Sequence, residues 1–198
     1  GISCHHLAES GRGFTFQKDE PLDMRMNTDL KITAGDIVNR AGEKELEEIF
    51  SKYGEERYAR RIAKNIVRKR KETPIRTSFS LVKIILDSIP HKAASGPKRI
   101  HPATRVFMSL RIAVNRELEA IEKFMDTAAD LLKPGGRLCV LSFHSLEDRI
   151  VKHRIRMLER GCVCPGSFPI CVCGFKQKLR SLTGKPVRPR KEEIEANP

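Results

Sequence analysis

The sequence predicts an α/β fold, an α/β frame that carries an all-helical module, and three observations point there. Leu138 to Phe143 is a short apolar run without polar alternation, which suits a strand buried on both faces of a sheet. The run follows a helical pattern stopped by Lys133-Pro134-Gly135-Gly136 and precedes a polar, helix-initiating stretch, His144-Ser145-Leu146-Glu147-Asp148. From about Thr28 to Pro90 the pattern is helical. In open α/β sheets ligands sit at the carboxyl ends of strands, so His144 occupies a good address for binding or acid/base work. The same address also suits a residue that merely caps the next helix.

Residues 1–27 combine Gly, Ser, His and charged side chains with little periodicity and read as loop with short turns. Phe14 and Phe16 can pin this loop to a core. Arg12 and Arg25 can meet phosphates, or serve as plain surface or salt-bridging residues. A chain opening directly on such a loop reads as a piece of something longer.

Thr33 is placed to cap a helix through Ala41, which Gly42 ends, and Glu43 to Tyr53 forms a second with Leu46, Ile49 and Phe50 on one side. After an interruption at Gly54, Glu55 to Lys71 continues as a third. Its apolar face holds Tyr58, Ala59, Ile62, Ala63 and Ile66, and Arg57, Arg60, Arg61, Lys64, Arg68 and Lys71 recur on a basic face. Such a face is usually just solvated, but six cations on one stripe favour phosphate contact. Pro74 breaks the pattern, and Ser78 starts a fourth helix with Leu81, Ile84, Ile85 and Ile89 inward.

The stretch 91–102 is a Lys-, Arg-, Gly- and Pro-rich return. A long helix over Pro102–Leu132 follows, with Leu110, Val114, Leu118, Ile121, Met125, Ala128 and Leu132 at helical spacing and Asn115 among apolar neighbours. Ser145 is placed as N-cap of a helix over Leu146–Glu159, with Ile150, Ile155 and Leu158 inward. Beyond Gly161 the tail is rich in Pro, Cys, Lys and Arg, with an extended Lys185-Pro-Val-Arg-Pro-Arg and a last helical turn or two at Lys191–Ala196.

The 198 residues carry a net charge of +13, which attracts polyanions in a salt-dependent way. Nucleic acid is the first partner this suggests, anionic membrane the second, and a simply well-solvated basic surface is the alternative. No apolar run approaches the ~18 residues that a membrane span requires, and the chain reads as soluble and cytoplasmic.

Four of the six cysteines, Cys162, Cys164, Cys171 and Cys173, form two CxC pairs with six residues between Cys164 and Cys171. Four thiolates so placed fit a tetrahedral zinc knuckle; four reduced thiols are the alternative, disulfides being disfavoured in a reducing compartment. Cys139, inside the expected strand, reads as a small buried hydrophobe. No HExxH, Walker A loop, GxSxG or GxGxxG occurs, so metalloprotease, nucleotide-triphosphatase and serine-hydrolase readings find no support.

The stretch LLKPGGRLCVLSFHSLEDRIVK resembles the hallmark of the MraW/RsmH family of bacterial S-adenosylmethionine-dependent methyltransferases. The opening GISCHHLAESGRGFTFQKDEPLDMRMN resembles that family's loop ending in PLDMRM. YGEERYARRIAKNIVRKR, HPATRVFMSLRIAVNRELEAIE and LTGKPVRPRKEEIEANP have counterparts in the same order, so the resemblance covers essentially the whole chain.

The resemblance implies N4-methylation of a cytidine in the decoding region of small-subunit rRNA, with that rRNA or the assembling small subunit as partner. It also implies a Rossmann-like methyltransferase domain formed by residues 1–27 and 101–198, with a helical domain inserted at 28–100. The first loop, with Gly1, Ser3 and His6, would then lie near cofactor and base, and His144 and Ser145 would lie at the adjacent strand end. On this reading Gly1 and His6 contact S-adenosylmethionine, Ser3, His144 and Ser145 serve catalysis, and Arg12 and Arg25 hold substrate. His6 stands where the family has Gln, and Cys4 where it has Ser. The family's Gly-rich turn and acidic ribose-binding residue would precede Gly1, so the 198-residue stretch is expected to be inactive by itself. A non-catalytic basic module that binds RNA or the ribosome is the rival reading.

Overall fold

The structure, a computed structural model, describes residues 10–90, 100–162, 164–165, 170 and 172–196. Among them lie eight helices and no named strand: α1 (Ala34–Arg40), α2 (Glu43–Gly54), α3 (Ala59–Arg70), α4 (Ser78–Ser88), α5 (Pro102–Asn115), α6 (Glu117–Leu131), α7 (Ser145–Arg160) and α8 (Lys191–Ala196). The chain divides into two compact units, Gly1–Glu117 and Leu118–Pro198.

In the first unit α2 packs on α3 and α5, and α3 packs on α4. Leu46 and Phe50 from α2, Ile62 and Ile66 from α3, Leu81 and Ile85 from α4, and Val106 and Leu110 from α5 are fully buried together. Each contributes about 1.5–3 kcal/mol by leaving water. Helix starts follow side-chain chemistry: Thr33 accepts from the Asp36 N–H and Thr77 from the Ser80 N–H, closing two capping boxes. Phe14 is buried and Phe16 packs against the core, stacked on His101 at 4.8 Å.

Four boundaries differ from the sequence expectation. Gly42 does not end α1; Ala41 caps its C-terminus, and Gly42 is the N-cap of α2. The third helix starts at Ala59 rather than Glu55. Glu55 takes a left-handed φ of 47° as the cap of α2, and the Glu56 carboxylate accepts the Tyr58 N–H at 2.8 Å, holding a turn. The expected long helix over Pro102–Leu132 is two helices, because Arg116 adopts φ 50°. The apolar spacing runs on across that single residue, which is why periodicity alone does not reveal the break. Ser145 is not an N-cap; His144 takes that role and Ser145 is the first helical residue.

The largest difference lies at 138–143. No strand forms there; Cys139 is exposed rather than buried, and Leu141 and Phe143 are 79% and 72% exposed. A two-face-buried strand needs neighbours on both edges, and the described residues supply none. Within the second unit Met125, Ala128 and Ala129 of α6 and Leu146, Val151 and Leu158 of α7 are buried.

Candidate functional site

The PLDMRMN segment of the first unit is held by side chains from well-separated parts of the sequence. The guanidinium of Arg25 forks onto the Asp23 carboxylate at 2.7 and 2.8 Å and donates to the carbonyls of Thr28 and Leu30. Arg12 donates to the Arg25 carbonyl at 2.7 Å and lies over the Phe14 ring. Between them Met24 is fully buried at a left-handed φ of 57°, an unusual conformation for a long side chain. Asn115 of α5 spans this kink, accepting from the Met26 N–H and donating to the Met24 carbonyl, both at 2.7 Å. Arg12 and Arg25, the two expected substrate contacts, are thus brought together, and both act on the shape of this loop.

Beside it lies an open cleft of about 400 Å³ whose polar lining includes Asp23, Thr33, Asp36, Asn39, Arg40 and Arg76. The Arg25 side chain holds the Asp23 carboxyl below its ordinary value of 3.8, aided by the Arg25 N–H and charge and opposed by burial. The Thr33 hydroxyl does the same for Asp36. Because the folded-state value of Asp23 is depressed, its stabilising contribution is full above the unfolded value and is lost as pH falls through the folded one. The Met24 and Met26 amides are therefore expected to stay protected from hydrogen exchange at neutral pH and to lose protection below about pH 4. Asp23→Asn should flatten that acid limb; an unchanged acid limb in the variant would assign it to another carboxylate.

In the second unit the α7 N-terminus gathers His144 and Glu147. The Nδ1 atom of His144 accepts from the Glu147 N–H at 3.4 Å, and the Glu147 carboxylate accepts from the Phe143 N–H at 2.8 Å. Since Nδ1 accepts, the ring proton sits on Nε2. That atom is buried, lies 3.5 Å from Glu147 Oε1, and has no hydrogen-bond partner among the described residues. Shielded there beside the Glu147 carboxylate, the imidazole fixes the first turn of α7. Ser145 stands exposed beside it on the first turn.

A third group lies after α7. The Sγ atoms of Cys162, Cys164 and Cys173 all lie within 4.8 Å of one another. Gly1, Ser3, Cys4, His6 and Cys171 lie outside the described residues. Sequence reasoning did not single out Asp23 or Glu147 for a role. The two-residue spacing of Asp23 and Arg25 and the three-residue spacing of His144 and Glu147 were the available signals.

The family model described as the MraW methylase family matches residues 1–198. The chain belongs to this family. Among similar MraW relatives, proteins named ribosomal RNA small subunit methyltransferase H from Desulforapulum autotrophicum, Desulfosudis oleivorans and Geobacter sulfurreducens are 55%, 54% and 52% identical over 198 residues. The chain is covered in full and spans 63% of the length of each of these relatives. In the MraW chain described above, the PLDMRM loop and the SFHSLEDR stretch are therefore built, respectively, around Asn115 and around the His144–Glu147 cap.

Proposed function

We propose that the full-length protein transfers a methyl group from S-adenosylmethionine to N4 of a cytidine in small-subunit rRNA, acting on the rRNA or the assembling small subunit. The observation that carries this reading is the family match along all 198 residues, with relatives of about half identity named as small-subunit rRNA methyltransferases. The cofactor supplies an electrophilic methyl group. Its expected contacts, Gly1 and His6, and the expected catalytic Ser3 lie outside the described residues, so no step is derived through them.

A cytosine amino nitrogen is a poor nucleophile because its lone pair is delocalised into the ring, so catalysis rests mainly on positioning. His144 holds the α7 N-terminus that places the base, and Ser145 adds an exposed hydroxyl beside it. Arg12 and Arg25 shape the substrate-side loop. The exposed Arg57, Arg60, Arg61, Lys64 and Arg68 supply phosphate contacts that hold the RNA without reading its sequence. Residues 1–27 and 101–198 belong to a Rossmann-like domain in the full-length protein, with 28–100 inserted. The exposed side chains of Val140, Leu141 and Phe143 support this, since they are what a sheet strand presents without its neighbours. The 198-residue stretch, at 63% of the relatives' length, is expected to be inactive alone. No helix of the described residues is long and apolar enough to cross a membrane, and the protein works in the cytoplasm.

The test is methyl transfer by full-length protein from labelled S-adenosylmethionine to assembled small subunits and to naked rRNA. Label on cytidine is expected in at least one of them. Binding without transfer to either would favour the rival reading, a non-catalytic RNA-binding module, which the +13 charge also suits. His144→Asn separates the two roles of that residue. Asn caps a helix well, so α7 should stay within ~0.5 kcal/mol, while transfer falls at least about tenfold through loss of the imidazole packed against Glu147. Equal loss of activity and helix stability would reduce His144 to a cap.

A further inference from the structure

We infer that Cys162, Cys164 and Cys173 form a structural zinc site that ties together the segment after α7. The geometry is the first argument. A zinc–sulfur bond of about 2.3 Å at a tetrahedral angle places two sulfurs about 3.8 Å apart, and Cys173 Sγ lies 3.8 Å from Cys162 Sγ. A disulfide would need about 2.05 Å. All three Sγ atoms lie within 4.8 Å of one another, so one ion can reach all three after a shift of under about 1 Å.

The backbone is the second argument. The Cys164 N–H points at Cys162 Sγ at 3.4 Å, which stabilises a thiolate and orients it as a ligand. Thiolates are soft donors that select zinc over the hard divalent cations.

The third argument is that the described part of this segment is tied at its base and buries little apolar surface above it. Its base is closed: Lys178 N–H donates to the Leu158 carbonyl at 3.0 Å, and Gly161, at φ 67°, lies so close to Gln177 that a Cβ would come within 2.8 Å of its backbone nitrogen. Above that base, Ile170 and Val172 are 74% and 73% exposed, so apolar burial contributes little there. A loop closed at the base, with little apolar burial among its described residues, is a setting in which a structural metal supplies folding free energy. An all-thiolate donor set is that of structural zinc sites, and the fourth position is not assigned among the described residues. Cys171, two residues before Cys173, lies outside the described residues; the inference rests on the other three.

The test uses full-length protein purified without chelator. Metal analysis should find about one equivalent of zinc, and exchange for cobalt should give a thiolate-to-metal charge-transfer band. Cys164→Ser and Cys173→Ser should each weaken zinc retention at least about tenfold while far-ultraviolet circular dichroism stays unchanged. Stripping the zinc should speed proteolysis within 162–177 at least about tenfold. Less than about a tenth of an equivalent of zinc would overturn the inference. So would an equivalent that survives both substitutions, or a cobalt spectrum without thiolate charge transfer. The cobalt spectrum of the unmodified protein decides the matter even where a variant fails to fold.

Discussion

Asn115→Leu is expected to destabilise the 10–117 unit by about 3 kcal/mol and to release the loop around Arg25. The carboxamide makes three hydrogen bonds: Oδ1 accepts from Met26 N–H, and Nδ2 donates to the carbonyls of Met24 and Arg111. Leucine is similar in size but satisfies none of them, and a buried or half-buried backbone group left unpaired costs about 1–3 kcal/mol. Met24 sharpens the effect. Its left-handed backbone, at φ 57°, is disfavoured by about 1–2 kcal/mol for an ordinary residue and persists only because its surroundings over-determine it. Those surroundings are the Asn115 clamp, the Met24 N–H bond to the Arg12 carbonyl at 2.8 Å, and full burial of the side chain. Asn115→Asp keeps the acceptor for Met26 but turns a carboxylate oxygen toward two carbonyls, so it should rescue little. Chemical unfolding and hydrogen exchange of the Met26 amide read the result. A leucine variant within ~0.5 kcal/mol of the parent would mean that the Arg12 and Arg25 contacts and the burial of Met24 hold the loop without the clamp.

Asn115 also shows what the sequence could and could not disclose. A polar residue among Leu110, Val114 and Leu118 is visible as an anomaly, but its hydrogen-bond partner Met26 lies 89 positions away. The Thr33 cap is legible because its chemistry is local, Thr33 and Asp36 meeting within one turn. The cap of α4 is Thr77, one residue before the Ser78 start that the sequence suggests, and that of α7 is His144 rather than Ser145. The break at Arg116 is not legible, since a single left-handed residue leaves the apolar spacing almost in phase, and the Arg111–Glu117 ion pair at 2.8 Å bridges it. The run 138–143 is apolar, yet a strand is defined by its neighbours rather than by its own residues. The cysteine pairs lie between these extremes. Their spacing suggests a metal, and the fold adds a segment closed at its base where Gly161 meets Gln177.

Gly54→Val carries the other large expected effect, because the obstacle it meets is backbone. A Cβ on Gly54 would lie 2.7 Å from the Arg105 carbonyl oxygen and 3.3 Å from Ser109 Cβ. The helices α2 and α5 approach closely at this point and bury Phe50, Leu46 and Leu110 nearby. A branched side chain there must push α5 away or unwind the last turn of α2, at a cost of about 3 kcal/mol, near the upper range for overpacking. Unwinding would also disturb Glu55, whose left-handed φ of 47° ends the helix and whose carbonyl accepts from Arg105 at 3.3 Å. Trimming the neighbour with Ser109→Gly should not restore stability, since the closer obstacle is the Arg105 carbonyl, which no side-chain change removes. Gly184→Ala is the contrasting substitution, with nothing within 4 Å of where its Cβ would stand, and should be neutral within ~0.5 kcal/mol. Rescue of Gly54→Val by Ser109→Gly in thermal unfolding would show that α5 yields at its side chains, and that the contact between the two backbones is not what sets their spacing.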